Sequence, residues 1–503
     1  MEQGIQLSDL AHLAPELTLV ISAVIISLID LLMPRHRSRT VIGWLTIAGL
    51  LAAAVFIGMR LNLEEPIELL HHSYRVDHFG DLVKLVLLGS TALIVLMSIG
   101  GIKQKETPHV GEYYYFYLPA VLGGMIMVSS GDLITLFVGL ELLSITSYIM
   151  VAMKKKDSRS NEGAFKYVVL GGVSSAMILY GMSFLYGMSG STNLAEINAQ
   201  LSLYSGSFGA LIYVAFFLLL AGFGFKIAAA PFHTWAPDVY QGAPTPVTAF
   251  LAVVSKAAGL ALMFRVFYMV FFQVNAGPNL PIDADVYMSL SVLAAISMIA
   301  GHFMALKQKN MKRLLAYSGI ANAGYLLVPI AAKISLIHTS NFSEFIYYMV
   351  AYALMNIGAF ALLFTIEATS GSSEIKGFAG LYYRAPWTAV AMVLIILSLA
   401  GIPVTAGFFG KLFILLGALE MKLYWLAIIM ILTSVASYYY YFGVIRQMFM
   451  RSGEEPEELK TTIPQQITLW VCAGLGIVLG FFPGLLLNYV ESVFRLGKDL
   501  FIY

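Results

Sequence analysis

The stretch LLLAGFGFKIAAAPFH, residues 218–233, places a lysine and a proline inside an apolar run that is typical of a membrane-spanning helix. Lys226 is costly in hydrocarbon, and such residues usually face a protein interior or a water-filled path. Pro231 interrupts helical hydrogen bonding. Non-helical backbone at membrane depth is tolerated only inside protein or beside water. The stretch therefore predicts a broken helix within a bundle of other helices.

The composition extends this prediction to the whole chain. Of 503 residues, 59% are hydrophobic and 12% are charged. Apolar runs of about 20 residues recur along the sequence, which indicates an all-α polytopic membrane protein. The net charge of +1 gives no support for a nucleic-acid partner. One cysteine, Cys472, excludes an internal disulfide and an iron–sulfur cluster held by this chain alone.

The apolar runs predict about 14 transmembrane helices. The first is expected to be retained, because the amino-terminal residues lack the basic region of a cleaved signal. The predicted spans are 15–33, 40–59, 79–101, 111–129, 132–153, 163–187, 208–235, 245–273, 286–306, 313–332, 343–368, 386–418, 422–445 and 463–488.

Lysine and arginine alternate between the loops. Eighteen of the 30 basic residues fall in the loops on one side, and six fall in segments on the other. Basic loops stay on the cytoplasmic side. The alternation supports the count of spans, and it predicts that both termini lie on the outer side of the membrane.

The remaining six basic residues lie within spans. Three are explained by local pairs or by reach to an interface: Lys84 near Asp81, Lys166 beside the loop at 154–159, and Arg265 late in span 8. The other three lie deep, and we expect them to gain and lose protons: Lys226, Lys256 and Lys411. The alternative for Lys226 is a structural lysine bonded to the backbone carbonyls that the Pro231 break frees.

Acidic residues and histidines complete the set of candidates. Glu141, in FVGLELLSITSYIM, is about mid-span and lacks a basic neighbour one turn away, so its partner is expected on another helix. A helix–helix tether is the alternative role. Glu16 is expected to be solvated at the end of span 1. His233 is a candidate for proton uptake or a helix-end role, and His302 is expected near an interface.

Two spans carry Gly/Pro interruptions beside a lysine, namely span 7 with AAAPFH and span 12 with AGIPVTAGFFG. They are five helices apart, so they run in opposite directions. This arrangement predicts two inverted five-helix repeats, helices 4–8 and 9–13. The predicted organisation is residues 1–109 (helices 1–3), 110–275 (first repeat), 276–450 (second repeat) and 451–503 (helix 14).

Several segments together resemble the subunit N family of NADH-quinone oxidoreductase, respiratory complex I. The resemblance covers residues 110 to 450, and its most specific part is KIAAAPFHTWAPDVYQGAPTPVTAFLAVVSKAAG. The other matching segments are FVGLELLSITSYIM, NEGAFKYVVLGGVSSAMILYG, KQKNMKRLLAYSGIANAGYLLV and AGIPVTAGFFGKLF.

The resemblance implies an antiporter-like membrane-arm subunit that translocates protons across a bacterial plasma (inner) membrane, with both termini on the periplasmic side. It assigns this role to Glu141, Lys226, Lys256 and Lys411. It implies no cofactor or metal in this chain, with NADH, FMN, iron–sulfur clusters and quinone held by partner subunits, and sister antiporter-like subunits as neighbours. Two positions depart from the family pattern. Gln241 stands where many relatives have glutamate, and Asn322 stands where many have histidine.

Other functions remain open at this point. A stand-alone or Mrp-like cation/proton antiporter would use the same fold and the same buried lysines. A purely structural membrane subunit would need none of the four buried charges. A membrane-embedded catalyst would require a nucleophile–base or metal-ligand arrangement, and the sequence shows none.

Overall fold

The computed structural model describes residues 7–34, 37–61, 63, 65–102, 107, 109–274, 281–332, 340–451, 459–494 and 496–500. The helices of its first half are α1 Leu7–His12, α2 Ala14–Leu32, α3 Thr40–Arg60, α4 His78–Ser98, α5 Val110–Tyr115, α6 Tyr117–Val128, α7 Leu133–Val151, α8 Ser158–Ser189, α9 Leu194–Lys226, α10 Ala236–Gly242, α11 Thr245–Phe250 and α12 Lys256–Phe271. A π-helical turn, Leu251–Ser255, joins α11 to α12.

The second half continues with α13 Ile282–Ala305, α14 Met311–Ala331, α15 Asn341–Ser370, α16 Leu381–Arg384, α17 Pro386–Ala400, α18 Ala406–Glu420, α19 Tyr424–Met450, α20 Ile463–Phe481, α21 Gly484–Val493 and α22 Leu496–Asp499, with a 3-10 turn at Ile375–Phe378. Strands β1 Ile67–Leu69 and β2 Tyr74–Val76 form an antiparallel hairpin that the sequence did not predict.

The predicted spans all correspond to helices. Within the described residues, twelve helical segments are long and apolar enough to cross a membrane. Span 4 is divided into α5 and α6 at Phe116, and span 12 into α17 and α18. The all-α polytopic fold is therefore confirmed.

The bounds of span 7 were wrong. The structure begins this helix at Leu194 instead of 208, because the Asn193 side chain accepts hydrogen bonds from the Ala195 and Glu196 amides. The helix ends at Lys226 instead of 235. Ala228 has φ of +56°, a left-handed conformation that cannot continue a right-handed helix.

The central helices of the bundle are buried, and the outer helices are partly exposed. The segment Thr245–Phe271 is entirely buried, and most of α14 and α15 is buried as well. By contrast, α2, α8 and α19 expose large aliphatic and aromatic side chains on their outer faces. Because lipid tails are themselves apolar, these outer faces fit a bilayer. The central helices carry Lys256 and its neighbours.

Buried charges of spans 1, 3 and 8 are paired. Lys84 is fully buried and lies 2.8 Å from Glu16 and 3.9 Å from Asp81. The expectation that Glu16 is solvated was wrong, because this residue is buried as the partner of Lys84. Arg265 lies 2.8 Å from Asp77, and both side chains are buried. These pairs support the structural interpretation of Lys84 and Arg265.

Both ends of the described chain meet on one side. Arg60, at the end of α3, donates a hydrogen bond to the His12 carbonyl. Arg75 in β2 donates to the Lys498 carbonyl at 2.5 Å, and Lys498 pairs with Glu65 at 2.6 Å. Two chain ends on the same side require an even number of crossings, and the predicted fourteen spans meet this condition.

Candidate functional site

Lys226 is the last residue of α9, halfway along the neighbouring helix α8. Ser174 of α8 donates a hydrogen bond to the Gly222 carbonyl at 2.9 Å, which fixes this register. Beside Lys226, the Phe225 carbonyl accepts from the Ala228 amide and from the Trp235 indole, each at 3.0 Å. A side chain thus meets part of the hydrogen-bonding capacity of the backbone at the break. The Lys226 side chain itself contacts serines of α7 and α8.

Glu141 and Lys226 are connected through a serine. Ser175 of α8 donates to the Glu141 carboxylate at 2.5 Å, and the Lys226 ammonium donates to the Ser175 hydroxyl at 3.4 Å. Lys226 also donates to Ser144 of α7 at 2.8 Å. In this conformation the predicted pair is bridged by Ser175 and does not form a direct ion pair. The partner of Glu141 does lie on another helix.

Lys256 follows the π-helical turn directly. Its ammonium donates to the Gly319 carbonyl of α14 at 2.6 Å and lies 5.9 Å from the centre of the Tyr352 ring. A Cβ on Gly319 would lie 3.0 Å from this ammonium, so a larger residue at this position would crowd the contact. Lys256 is 2% exposed, and no carboxylate is paired with it among the described residues. A backbone dipole and an aromatic face are its observed partners.

Lys411 lies at the break in span 12. The half-helix α17 ends at Ala400, and Gly401 continues in the left-handed region with φ of +79°. The Lys411 ammonium donates to the freed carbonyls of Leu399 at 3.2 Å and Ala400 at 3.4 Å. The negative end of the helix dipole therefore faces the ammonium.

A polar group lies between Lys256 and Lys411. Asn322 accepts from the Tyr348 hydroxyl at 2.5 Å and donates to the Ser318 carbonyl at 2.9 Å. Ser318 in turn shares a hydrogen bond of 2.5 Å with Tyr441. An amide does not titrate in the physiological range. Asn322 therefore connects hydroxyl groups and does not store a proton.

His302 lies close to Lys411 and not at an interface, so that expectation was wrong. It is 1% exposed and is held by Tyr440 at 2.9 Å and by Tyr325 at 3.1 Å. The Lys411 ammonium lies 5.0 Å from the centre of the Tyr325 ring. A titratable side chain on α13 therefore adjoins the lysine of the second break.

His233 occupies the segment between α9 and α10, two residues after Pro231. It is 9% exposed, and its Nδ1 atom has no hydrogen-bond partner among the described residues. Its main-chain carbonyl accepts from the Ala236 amide at 3.0 Å. His233 thus carries a buried ring nitrogen without a described partner near the basic-loop face, which we define as the side of the bundle that carries the loops at 152–157 and 306–310.

Asp238 of α10 organises this face. It accepts from Lys166 at 2.7 Å and from Arg313 at 2.6 Å, and Arg313 also donates to Gln241 at 3.2 Å. Partial burial raises the pKa of the Asp238 carboxyl, but the bonds from the two cations outweigh it and hold that pKa below its usual range. Asp238 therefore stays ionised at neutral pH and ties α8, α10 and α14 together.

The sequence did not predict Ser144, Ser175 or the ion pair of Lys312 with Glu367, which is 3.0 Å long. Ser144 follows Glu141 by three residues, one helical turn, and this spacing could have indicated it. Ser175 and Glu367 left no such signal, because their partners lie on other helices. Among the described residues, no group of three or more His, Cys, Asp or Glu side chains is placed to hold a metal ion.

Comparisons with known proteins agree with one another. The sequence model of the family described as "NADH:quinone oxidoreductase/Mrp antiporter, TM" matches residues 130–437. NADH-quinone oxidoreductase subunit N of Paenibacillus sp. (strain JDR-2) is 51% identical, with 98% of each chain covered.

Two solved structures have similar folds. A chain of respiratory complex I from Thermus thermophilus with bound aureothin is 30% identical, with a TM-score of 0.78 over 94% of this chain and 98% of that one. A chain of the Mrp complex from Dietzia sp. DQ12-45-1b is 19% identical, with a TM-score of 0.82 over 97% of each chain, and this likeness concerns the fold alone.

Proposed function

Because this chain belongs to the subunit N family of NADH-quinone oxidoreductase, we propose that Glu141, Lys226, Lys256 and Lys411 carry protons across the membrane within that complex. The chain is a membrane-arm subunit of a proton-translocating oxidoreductase. The observation that carries the residue assignment is the link Glu141–Ser175–Lys226 at mid-membrane. It joins an acid and a base through a hydroxyl that both donates and accepts.

Each proton transfer changes one lysine from ammonium to amine. When Glu141 is close, its charge stabilises the Lys226 ammonium. When the link opens, desolvation favours the amine, and the proton passes toward Lys256. Lys256 then passes it through the hydroxyl groups around Asn322 to Lys411. From there it leaves on the outer side.

The two breaks define the proposed repeats. Residues 110–275 and 276–450 form inverted five-helix units, with residues 1–109 and 451–503 outside them. The break after Lys226 and the break before Lys411 fall in corresponding helices, 7 and 12, which supports this division. In the orientation that we propose, the basic-loop face is cytoplasmic and both termini are periplasmic. His233 then takes up protons from the cytoplasmic side.

The electron-transfer chemistry belongs to other subunits. NADH oxidation, FMN, the iron–sulfur clusters and quinone reduction are placed in partner subunits of the complex. Sister antiporter-like subunits are the proposed neighbours in the membrane. The Mrp-like antiporter remains the second candidate, supported by the shared fold and the family description.

The central test replaces Lys226 with alanine in the assembled complex. Proton pumping per NADH oxidised should fall in membrane vesicles, because the variant removes the amine that contacts Ser175 and takes up the proton. Glu141→Gln should weaken pumping and leave assembly intact. Full pumping by an assembled Lys226→Ala complex would overturn the assignment. Pumping of cations without any redox partner would favour the antiporter instead.

A further inference from the structure

A polar cavity of about 650 Å³ opens on the basic-loop face. Its lining includes the charged side chains Lys154, Arg159, Lys309, Lys312, Glu367 and Lys460. A volume of this size holds on the order of 20 waters. The loops after α7, α10, α13 and α15 all contribute to it, so it lies where these four helix ends converge.

A buried ion pair forms part of the wall of this cavity. Lys312 of α14 is 3% exposed and lies 3.0 Å from Glu367 of α15. Its ammonium also donates to the Ala243 carbonyl at 3.0 Å. The Glu367 carboxylate accepts from the hydroxyls of Thr245 and Ser373 as well. Hydroxyls donate or accept, so they accommodate both protonation states of this acid.

The pair lies on the same helices as the contacts of Lys256. Lys312 and Gly319 are seven residues apart on α14, two turns along one face, and Gly319 accepts the Lys256 hydrogen bond. Thr245, which contacts Glu367, is seven residues before Ala252, which accepts from the Tyr352 hydroxyl at 3.0 Å. About 10 Å of helix rise therefore separates the pair from Lys256.

An unsatisfied acceptor lies in this interval. Asn356 of α15 is one turn beyond Tyr352 and is fully buried. Its Nδ2 atom donates to the Tyr352 carbonyl at 2.9 Å, and its Oδ1 atom has no partner among the described residues. Buried polar atoms without a protein partner commonly bind internal water. Asn356 thus marks a position for water between the cavity and Lys256.

We propose that Lys312 and Glu367 form the proton-loading pair for Lys256. Glu367 accepts a proton from cavity water, and Lys312 releases its own proton through internal water to the Lys256 amine. The proton on Glu367 then moves to Lys312, which restores the ion pair. One proton enters the protein and one reaches Lys256, so the charge balances. This inference rests on the proposed role of Lys256.

Burial brings the charged and neutral forms of the Lys312–Glu367 pair closer in energy, which allows the proton exchange. A buried ion pair gains Coulombic energy but loses hydration, so its charged and neutral forms are closer in energy than in water. Asp238 on the same face lies between two cations at the surface and stays charged, so it does not serve this purpose. The Lys312–Glu367 pair is largely shielded from solvent, with side chains 4% and 17% exposed, and both residues line the cavity.

The test is Glu367→Gln in the assembled complex, because glutamine keeps the shape and the hydrogen bonds but cannot exchange a proton. Protons pumped per NADH oxidised should fall below the native level, although Lys226 still passes protons to Lys256. The matched control is Glu374→Gln, which neutralises an exposed acid lining the same cavity. The control should pump at the native level.

The outcomes separate this inference from the proposed function. If Glu367→Gln pumps fully while Lys226→Ala does not, the loading pair is overturned and the lysine route stands. If both variants pump fully, both proposals are overturned. An equal loss of pumping in Glu374→Gln would also overturn the pair, because any acid lining the cavity would then have the same effect through its charge.

A second variant covers a failure of Glu367→Gln to assemble. Glu367→Asp keeps the carboxylate but withdraws it by one methylene, so it should retain assembly and part of the pumping. Its pumping rate against pH should differ from the native profile, since the loading group is altered. A native profile, or pumping no better than that of an assembled glutamine variant, would overturn the role of the carboxylate.

Discussion

At the scale of residues, three lysines at similar depth have three different environments. Lys226 contacts two serines, Lys256 contacts a backbone carbonyl and an aromatic ring, and Lys411 contacts the end of a half-helix. The structural alternative for Lys226 was an ammonium bonded to carbonyls freed by a break. That arrangement occurs at Lys411 instead. The sequence predicted which residues are deep, whereas the partners depend on neighbouring helices.

Ser175→Ala tests the bridge at this scale. The change removes the hydroxyl between Glu141 and Lys226, and hydrogen bonds to charged groups contribute about 1.5–3 kcal/mol. Pumping per NADH should fall, though less than in Lys226→Ala, because Ser144 still binds the ammonium. The measurement is vesicle acidification at matched NADH oxidation.

Ser183→Ala is the control for this experiment. It makes the same change on the same helix at an exposed position, where the hydroxyl donates only to the Tyr180 carbonyl. It should leave pumping unchanged. Equal behaviour of the two alanine variants would show that the bridge has no role.

At the scale of elements, interruptions of helices position the charged groups. The end of α9, the π-helical turn before α12 and the gap between α17 and α18 each adjoin a lysine. Pro231 and the Gly/Pro pattern of span 12 indicated two of these. The π-helical turn had no such signal, because its sequence LAVVS contains neither glycine nor proline. Its conformation depends on packing against α15 and α4.

Gly401→Ala tests the second break. A non-glycine residue in the left-handed region costs about 1–2 kcal/mol, and a Cβ there would lie 3.1 Å from Lys411 Cδ. The variant should lower both thermal stability and proton pumping, because it displaces the lysine from the end of α17.

Gly190→Ala is the control that separates backbone strain from displacement of Lys411. Gly190 has φ of +72°, but a Cβ there would meet nothing within 4 Å. It should cost similar stability, measured by thermal unfolding of the solubilised complex, without a loss of pumping per NADH. An equal loss of pumping in both variants would contradict the positional role of Gly401.

At the scale of the whole molecule, Lys256 lies on a segment that is itself buried by the surrounding helices. The segment Thr245–Phe271 is enclosed on all sides, while α2 and α8 face outward. The proposed lysine route therefore runs through the centre of the bundle. Loop charges set the proposed orientation of this bundle in the membrane.

Cysteine labelling tests that orientation. The native Cys472 is buried, so a cysteine introduced at an exposed loop position can be labelled selectively. Lys422→Cys should react with a membrane-impermeant maleimide in right-side-out vesicles. Lys155→Cys should react only in inside-out vesicles. The opposite pattern would reverse the orientation and would place the cavity on the outer side.

The sequence by itself determined the all-α membrane fold, the approximate spans and the depth of Glu141, Lys226, Lys256 and Lys411. Hydrophobic run length and the cost of a buried charge are local properties of the chain, so they can be read from it directly. The structure alone decided that Ser175 bridges Glu141 to Lys226, that Gly319 receives Lys256 and that Lys312 meets Glu367. These contacts join helices far apart in sequence, and their geometry depends on how the helices pack.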